Sequence, residues 1–221
     1  MQRIFDLILS GLSLLLLSPL LLPLIIILRF TGEGEVFYKQ TRVGLGGHKF
    51  FIYKFATMLK NSPNIGAGTL TMKNDPRVLF IGSFLRKTKI NELPQLFNIF
   101  IGDMSIVGPR PLVPEGDANY KVEESTLIRS VLPGLTGIGS LLLRDEESYY
   151  AHRPDPHDFY KHTISPYKAS LEVWYVENKS IWLYIKIIIF TGIAILLPSL
   201  KVEGFFSRLP KMPQSMIDSK I

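Results

Sequence analysis

Residues 84–98 read Phe84-Leu85-Arg86-Lys87-Thr88-Lys89-Ile90-Asn91-Glu92-Leu93-Pro94-Gln95-Leu96-Phe97-Asn98, and the way this stretch folds decides what the middle of the chain can do. Pro94 suits the first turn of a helix, where a missing N–H leaves no bond unmade. A helix opening there sets Glu92 beside its N-terminus, where free N–H groups and the helix dipole attract anions. Arg86, Lys87 and Lys89 come just before it. Cations, a helix N-terminus and one carboxylate describe a place where a metal-bridged diphosphate can sit. A charged helix start without chemistry has the same pattern, so the neighbours must be read with it.

Downstream, Gly102-Asp103-Met104-Ser105-Ile106-Val107-Gly108-Pro109-Arg110-Pro111 holds Arg110 between two prolines on a stiff, extended segment. A guanidinium presented that rigidly suits bidentate phosphate binding; a structural arginine on a turn fits equally well. Upstream, residues 36–44 read as a strand, Gly44, Gly46 and Gly47 as a turn, and residues 49–55 as a second strand, giving a short hairpin. Residues 61–75, rich in Gly, Asn, Pro and Thr, read as a loop over the site.

Towards the N-terminus, Leu7–Leu28 is a run of 22 residues without a charge. As a straight helix it reaches about 33 Å, enough to cross a bilayer. An ordinary spanning anchor is one reading. Ser18-Pro19 in mid-run, with Pro23 one turn on, favours another, because interior proline removes a backbone hydrogen bond and bends a helix. The Ser18 hydroxyl can serve the carbonyl left over. Basic residues flank both ends, Arg3 on one side and Arg29, Lys39 and Arg42 on the other, where a spanning helix shows a one-sided bias. The expectation is a re-entrant helix, kinked at Ser18 and Pro19, that enters and leaves on one face.

The C-terminal third starts with a polar, proline-broken segment, residues 152–162, read as a surface loop. Residues 167–178 have helical spacing. Residues 181–199 are strongly apolar, but Lys186 and the aromatics Trp182 and Tyr184 suit a helix lying in the membrane interface. Residues 201–221 read as a mobile polar tail.

Composition bounds the partners. Apolar residues make up 47% of the 221, and the mean hydropathy is +0.21. The net charge of +6 points to anionic headgroups or phosphate-bearing substrates. Nothing resembles a nucleic-acid module, and the charge is dispersed, so no nucleic acid partner is expected. The absence of cysteine excludes disulfides, thiolate catalysis and Cys-ligated zinc. The four histidines fall in no metal-ligand spacing.

Read together, these blocks resemble the bacterial sugar transferase family, the monotopic phosphoglycosyl transferases, over about residues 3–190. The Ser18-Pro19 break is similar to the family's re-entrant kink. Residues 37–44 and 52–58 resemble its early hairpin, and Glu92-Leu93-Pro94-Gln95-Leu96-Phe97-Asn98, Gly102-Asp103-Met104-Ser105 and Gly108-Pro109-Arg110-Pro111 its signature core. The resemblance implies an α+β fold, with a mainly helical catalytic domain, a small β-hairpin, an N-terminal re-entrant membrane helix and a C-terminal interfacial helix. The divisions are 1–31 for the anchor, 32–180 for the catalytic domain, 181–200 for the membrane-associated helix and 201–221 for the tail. It implies transfer of a sugar phosphate from a UDP-sugar to polyprenyl phosphate with release of UMP, at the cytoplasmic face of the bacterial inner membrane, with Mg²⁺. Homodimerisation stays open. Family members use an Asp-Glu dyad, the Asp forming a phospho-sugar ester. Carried over, Glu92 is the dyad glutamate and supports Mg²⁺. Arg86 and Arg110 hold phosphates, and Lys54 is a further candidate for that role.

Three departures stand out. The nucleophile position is Asn91, and a carboxamide is a poor nucleophile that cannot form an aspartyl ester. Glu92 or another carboxylate can take over, the lipid phosphate can attack directly with Asn91 orienting a phosphate, the chain is a non-catalytic scaffold or regulator, or Asn91 is an engineered substitution that traps the enzyme before attack. After Pro133-Gly134-Leu135-Thr136-Gly137, a polar run common in the family gives way to Leu141-Leu142-Leu143-Arg144-Asp145-Glu146-Glu147. Arg144 and the acidic cluster become substitute substrate contacts to test, although a solvated charge run is the plainer reading of 145–147. Tyr184 stands where the family often has Asp.

Overall fold

The computed structural model describes residues 1–65, 75–151, 153–197 and 199–218, so the central part of the loop expected over 61–75 lies outside the described residues. The long helix α1, Gln2–Arg29, runs through Pro19 and Pro23. Ser18 Oγ donates to Leu15 O at 2.8 Å, which is the carbonyl that Pro19 leaves without its usual partner. The hairpin follows as β1 (Phe37–Val43) and β2 (Lys49–Phe55), antiparallel from Phe37 opposite Phe55 to Val43 opposite Lys49. Its glycine turn needs positive φ, which Gly46 and Gly47 supply.

Helix α2 (Phe80–Lys87) ends in Thr88, and the left-handed Lys89 turns the chain into a 3₁₀ turn at Ile90–Glu92. Helix α3 (Gln95–Ile101) then starts one residue after Pro94. Two short strands, β3 (Ser105–Val107) and β4 (Gly134–Thr136), pair in parallel, a sheet the sequence did not announce. The connection between them carries α4 (Pro114–Asp117) and α5 (Val122–Ile128). The two strands approach so closely that a Cβ on Gly108 would lie 2.4 Å from Leu132 O, and one on Gly134 2.1 Å from Gly108 N. Only glycine fits there.

Beyond β4 come α6 (Ile138–Leu142), α7 (Glu147–Tyr150), α8 (Pro156–Phe159), α9 (Ser165–Glu177), α10 (Ile181–Leu196) and α11 (Gln214–Ile217). Two expectations for this part are corrected. The segment read as a loop over 152–162 contains α8, because Asp155 caps it by accepting from Asp158 N at 2.9 Å and Pro156 takes the first helical position. The segment read as a mobile tail packs on the core. Val202, Phe206 and Met216 are buried with Leu171, Tyr175, Tyr184 and Ile187, and Tyr167 and Arg153 bond to the Pro210 and Ser215 carbonyls.

Helix α1 is long and apolar enough to cross a membrane, by length and composition, yet it is tied to the same domain at both ends. Near its start, Arg3 donates to the Ile99 and Phe100 carbonyls at the C-terminus of α3. Gln2 donates to Ser105 Oγ and Val107 O. The buried Asp6 accepts from Ser105 Oγ, Ile106 N and the Tyr184 hydroxyl at 2.8–3.0 Å. Tyr184 thus uses its hydroxyl to lock α10 to α1, a contact an aspartate facing Asp6 would turn into like-charge repulsion. Near its end, Leu28 is buried against Phe55 and Leu85. The opposite face, with Leu15, Leu16, Leu20 and Leu22, stays exposed.

Candidate active site

The site forms where β2, the 3₁₀ turn and the segment after β3 converge. Asn98 fastens α3 to the hairpin, its Oδ1 accepting from Tyr53 N at 3.1 Å and its Nδ2 donating to Phe51 O at 2.8 Å. This sets the turn before α3 against Lys54. On the other side, β1 is stitched to the proline-rich segment: Val43 N donates to Leu112 O, Arg42 Nη1 donates to Pro111 O at 2.9 Å, and Arg42 Nη2 donates to Gln40 Oε1. Arg110 is thereby aimed at the same turn.

Glu92 joins the two. Its Oε1 accepts from Lys54 Nζ at 3.2 Å and from Arg110 Nη2 at 2.8 Å, and Oε2 makes no hydrogen bond among the described residues. Burial pushes the Glu92 carboxyl up, but the Arg110 and Lys54 charges outweigh it and hold the group well below the usual carboxylate range. Lys54 is pushed down to about 8 by burial, with Glu92 opposing and Arg110 and Arg42 adding to the fall. Arg110 is raised, chiefly by Glu92. Arg42 is lowered to about 10, by burial first and by Arg110 second. More positive charge is gathered here than one carboxylate can neutralise, which is the electrostatic profile of an anion site.

The cleft around this trio measures about 2260 Å³ and is also lined by Arg86, Asn91, Glu146, Glu147, Tyr160 and Lys168. Arg86 faces it from α2 but does not join the Glu92 pair; it donates to Met58 Sδ and lies 3.8 Å from Glu147 Oε1. Asn91 is buried, and its Oδ1 accepts no hydrogen bond among the described residues. Arg144 lines the cleft, with its guanidinium donating to Ala194 O near the end of α10. The reading of 145–147 as a solvated run fits the exposed Asp145 and is corrected at Glu146, which pairs with the buried Lys168 at 2.7 Å; Glu147 lies part-exposed beside Arg86. Lys168, which also donates to the Tyr160 hydroxyl at 3.3 Å, and Arg42 were not singled out from the sequence as site residues. A lysine one turn into an apolar helix was the only signal for the first.

No group of three or more His, Asp or Glu residues that could hold a metal occurs among the described residues. At the centre of the cluster, Glu92 Oε2 is an oxygen with no hydrogen bond among the described residues. That suits Mg²⁺, which binds through one or two carboxylates and completes its shell with water and substrate phosphates.

Comparison with known proteins agrees with this arrangement. The family model described as bacterial sugar transferase matches residues 1–198. The exopolysaccharide production protein ExoY of Rhizobium meliloti is 37% identical over 162 residues, covering 67% of this chain and 71% of that protein. The UDP-glucose:undecaprenyl-phosphate glucose-1-phosphate transferase of Klebsiella pneumoniae is 34% identical over 86% of this chain but only 39% of its own length. The undecaprenyl-phosphate galactose phosphotransferase of Salmonella typhimurium is 32% identical over 89% of this chain and 40% of its own length. With the family match spanning nearly the whole chain, the protein belongs to the bacterial sugar transferase family.

Proposed function

We propose that this chain transfers a sugar 1-phosphate from a UDP-sugar to polyprenyl phosphate, at the cytoplasmic face of the bacterial inner membrane. The observation that carries the reading is the Lys54–Glu92–Arg110 cluster, set in a large cleft beside an apolar helix. Relatives named for this transfer support it. The reaction forms a bond from a lipid phosphate oxygen to the sugar-bearing phosphorus and breaks the phosphoanhydride bond, so that UMP leaves with the electron pair.

Each residue has a task that follows from its chemistry. Arg110, fixed between prolines, takes two diphosphate oxygens, and Lys54 supplies a point charge beside it. Both are held in place before substrate arrives by Glu92 Oε1, so little reorganisation is needed. Glu92 Oε2 would hold Mg²⁺, which when bound neutralises diphosphate charge. Arg86 and Lys168, now on Glu147 and Glu146, are further phosphate partners. Asn91 cannot be esterified, so the lipid phosphate attacks directly and the carboxamide orients a phosphate oxygen.

The anchor makes that attack accessible. Both ends of α1 touch the same domain, which supports a helix that re-enters on one face and keeps the cleft at headgroup height. Phe80, fully exposed, and Phe84 on α2 sit beside Arg86 and Lys87, the pairing of apolar and cationic groups that favours an interface.

Purified protein with polyprenyl phosphate, Mg²⁺ and a panel of UDP-sugars should release UMP with at least one of them. A protein silent across the panel that regains turnover as Asn91→Asp would instead mark the natural chain as a non-catalytic relative.

A further inference from the structure

A second buried carboxyl lies behind Arg110. Glu172 on α9 is 2% exposed and lines a separate small cavity of about 20 Å³ with Pro109, Arg110, Tyr120 and Pro133, room for one water. Its Oε1 accepts from Arg110 N at 3.4 Å, and its Oε2 has no hydrogen-bond partner among the described residues. At the start of α6 the carboxyl takes the place of a side chain: a Cβ on Gly139 would lie 2.5 Å from Oε1. An ionised carboxylate shut from water needs more than one long hydrogen bond to be comfortable.

We propose that Glu172 is a positioning residue for the diphosphate: neutral, it holds the Arg110 backbone and leaves the guanidinium charge to the substrate; ionised, it draws on that charge from behind. The proposal rests on the transferase reading above. The groups facing Glu172 are the Arg110 guanidinium, Lys168 and Tyr175 on its own helix, and Tyr120 from the turn before α5, with the Asp117–Arg129 pair across the small cavity. Burial pushes the carboxyl up to about 7, against the pull of the Arg110 N–H and of the Lys168 and Arg110 charges. The change of state thus falls within the range in which the protein works, and it acts on binding more than on the chemical step.

The test is the affinity of the full chain in detergent for UDP-glucose, whose diphosphate does not titrate in this window, measured calorimetrically at pH 6 and pH 8. The wild-type affinity should fall about tenfold, the scale of one pKa unit of interaction. Glu172→Gln, locked in the neutral state, should show a clearly smaller fall, the remainder being that of Lys54, itself lowered to about 8, and should melt at or above the wild type at pH 8. Glu172→Asp should keep the pH dependence while binding more weakly throughout, its shorter side chain falling away from Arg110 N. Should the Gln variant not fold, the Asp variant decides, and loss of its pH dependence counts against the proposal. Equal pH dependence in wild type and Gln variant overturns it and leaves the transferase reading intact; no binding by wild type of any UDP-sugar in the panel at either pH removes both.

Discussion

Two glutamates stand on either side of Arg110, Glu92 with its side chain 14% exposed and Glu172 at 2%, and they teach opposite lessons. Glu92, on the cleft side, has two cations on one oxygen and is held far below the ordinary carboxylate range. Glu172, on the far side, has one backbone N–H and a bare oxygen, and is pushed up to about 7. Burial acts upward on both. What separates them is a partner charge within hydrogen-bond reach, so the local pairing and not the depth decides which glutamate is an anion. The cleft therefore keeps a fixed negative charge in front of Arg110 and a conditional one behind it.

The hardest blow to this contrast is Glu92→Ala. It leaves Lys54 and the partly exposed Arg110 uncompensated, a loss of about 3 kcal/mol, the low end for a buried pair because water reaches the guanidinium. Lys54, already lowered to about 8 with Glu92 holding it up, should then lose its proton near neutral pH. UMP release should fall to background and the denaturant midpoint should drop sharply. A variant with unchanged midpoint would show that Glu92 is not the hub of the cluster.

Glu172→Gln sharpens the other half. Because burial pushes the folded group up to about 7 from its ordinary 4.5, its own contribution to stability is full below pH 4.5 and is lost as pH rises through 7. The loss amounts to at most about 3 kcal/mol. The glutamine variant has nothing to lose, so wild type minus variant should decline between pH 4.5 and 7 and level off above pH 8. Denaturant titrations across that range read it directly. A difference that stays flat with pH would place Glu172 in an ordinary ionised state.

The first of these glutamates was legible in the sequence and the second was not. Glu92 stands three residues before Gln95 in a helix start that proline, cations and motif all mark. The hairpin was equally plain, because alternation and a glycine turn fix strands locally, and its β2 limits are those read from the residues, Lys49–Phe55. Glu172 and Lys168 sit on a helix whose pattern says only that one face is buried. Their meaning comes from Arg110 and Glu146, which are distant in the chain. The β3–β4 pair escaped for the same reason, being three residues a side and joined across two helices. The tail misled through composition: Val202, Phe206 and Met216 are too sparse to show a period, yet each fills a gap in the core.

Lys168→Met tests whether pairing also governs the rim of the cleft. Lys168 is 7% exposed and its partner Glu146 29%, so removing the cation strands a carboxylate that water can still partly reach. A cost of about 2 kcal/mol, below that of a fully buried pair, is expected. UDP-sugar affinity should then fall at low ionic strength. An unchanged melting temperature would mean the pair is incidental.

The smallest effect belongs to Glu147→Ala, and it runs the other way. Arg86 and Glu147 are 3.8 Å apart with side chains 31% and 38% exposed, a geometry worth no more than about 0.5 kcal/mol. Stability should hardly move. Affinity should improve, because Glu147 occupies the guanidinium that a phosphate would use, and its removal spares the substrate that competition. A two- to threefold gain in UDP-glucose affinity, shrinking with added salt, is about what a weak exposed pair can withhold. A loss of affinity would instead make Glu147 a substrate contact in its own right, and the rule that charge pairing in this cleft serves to hold cations ready would stop at its edge.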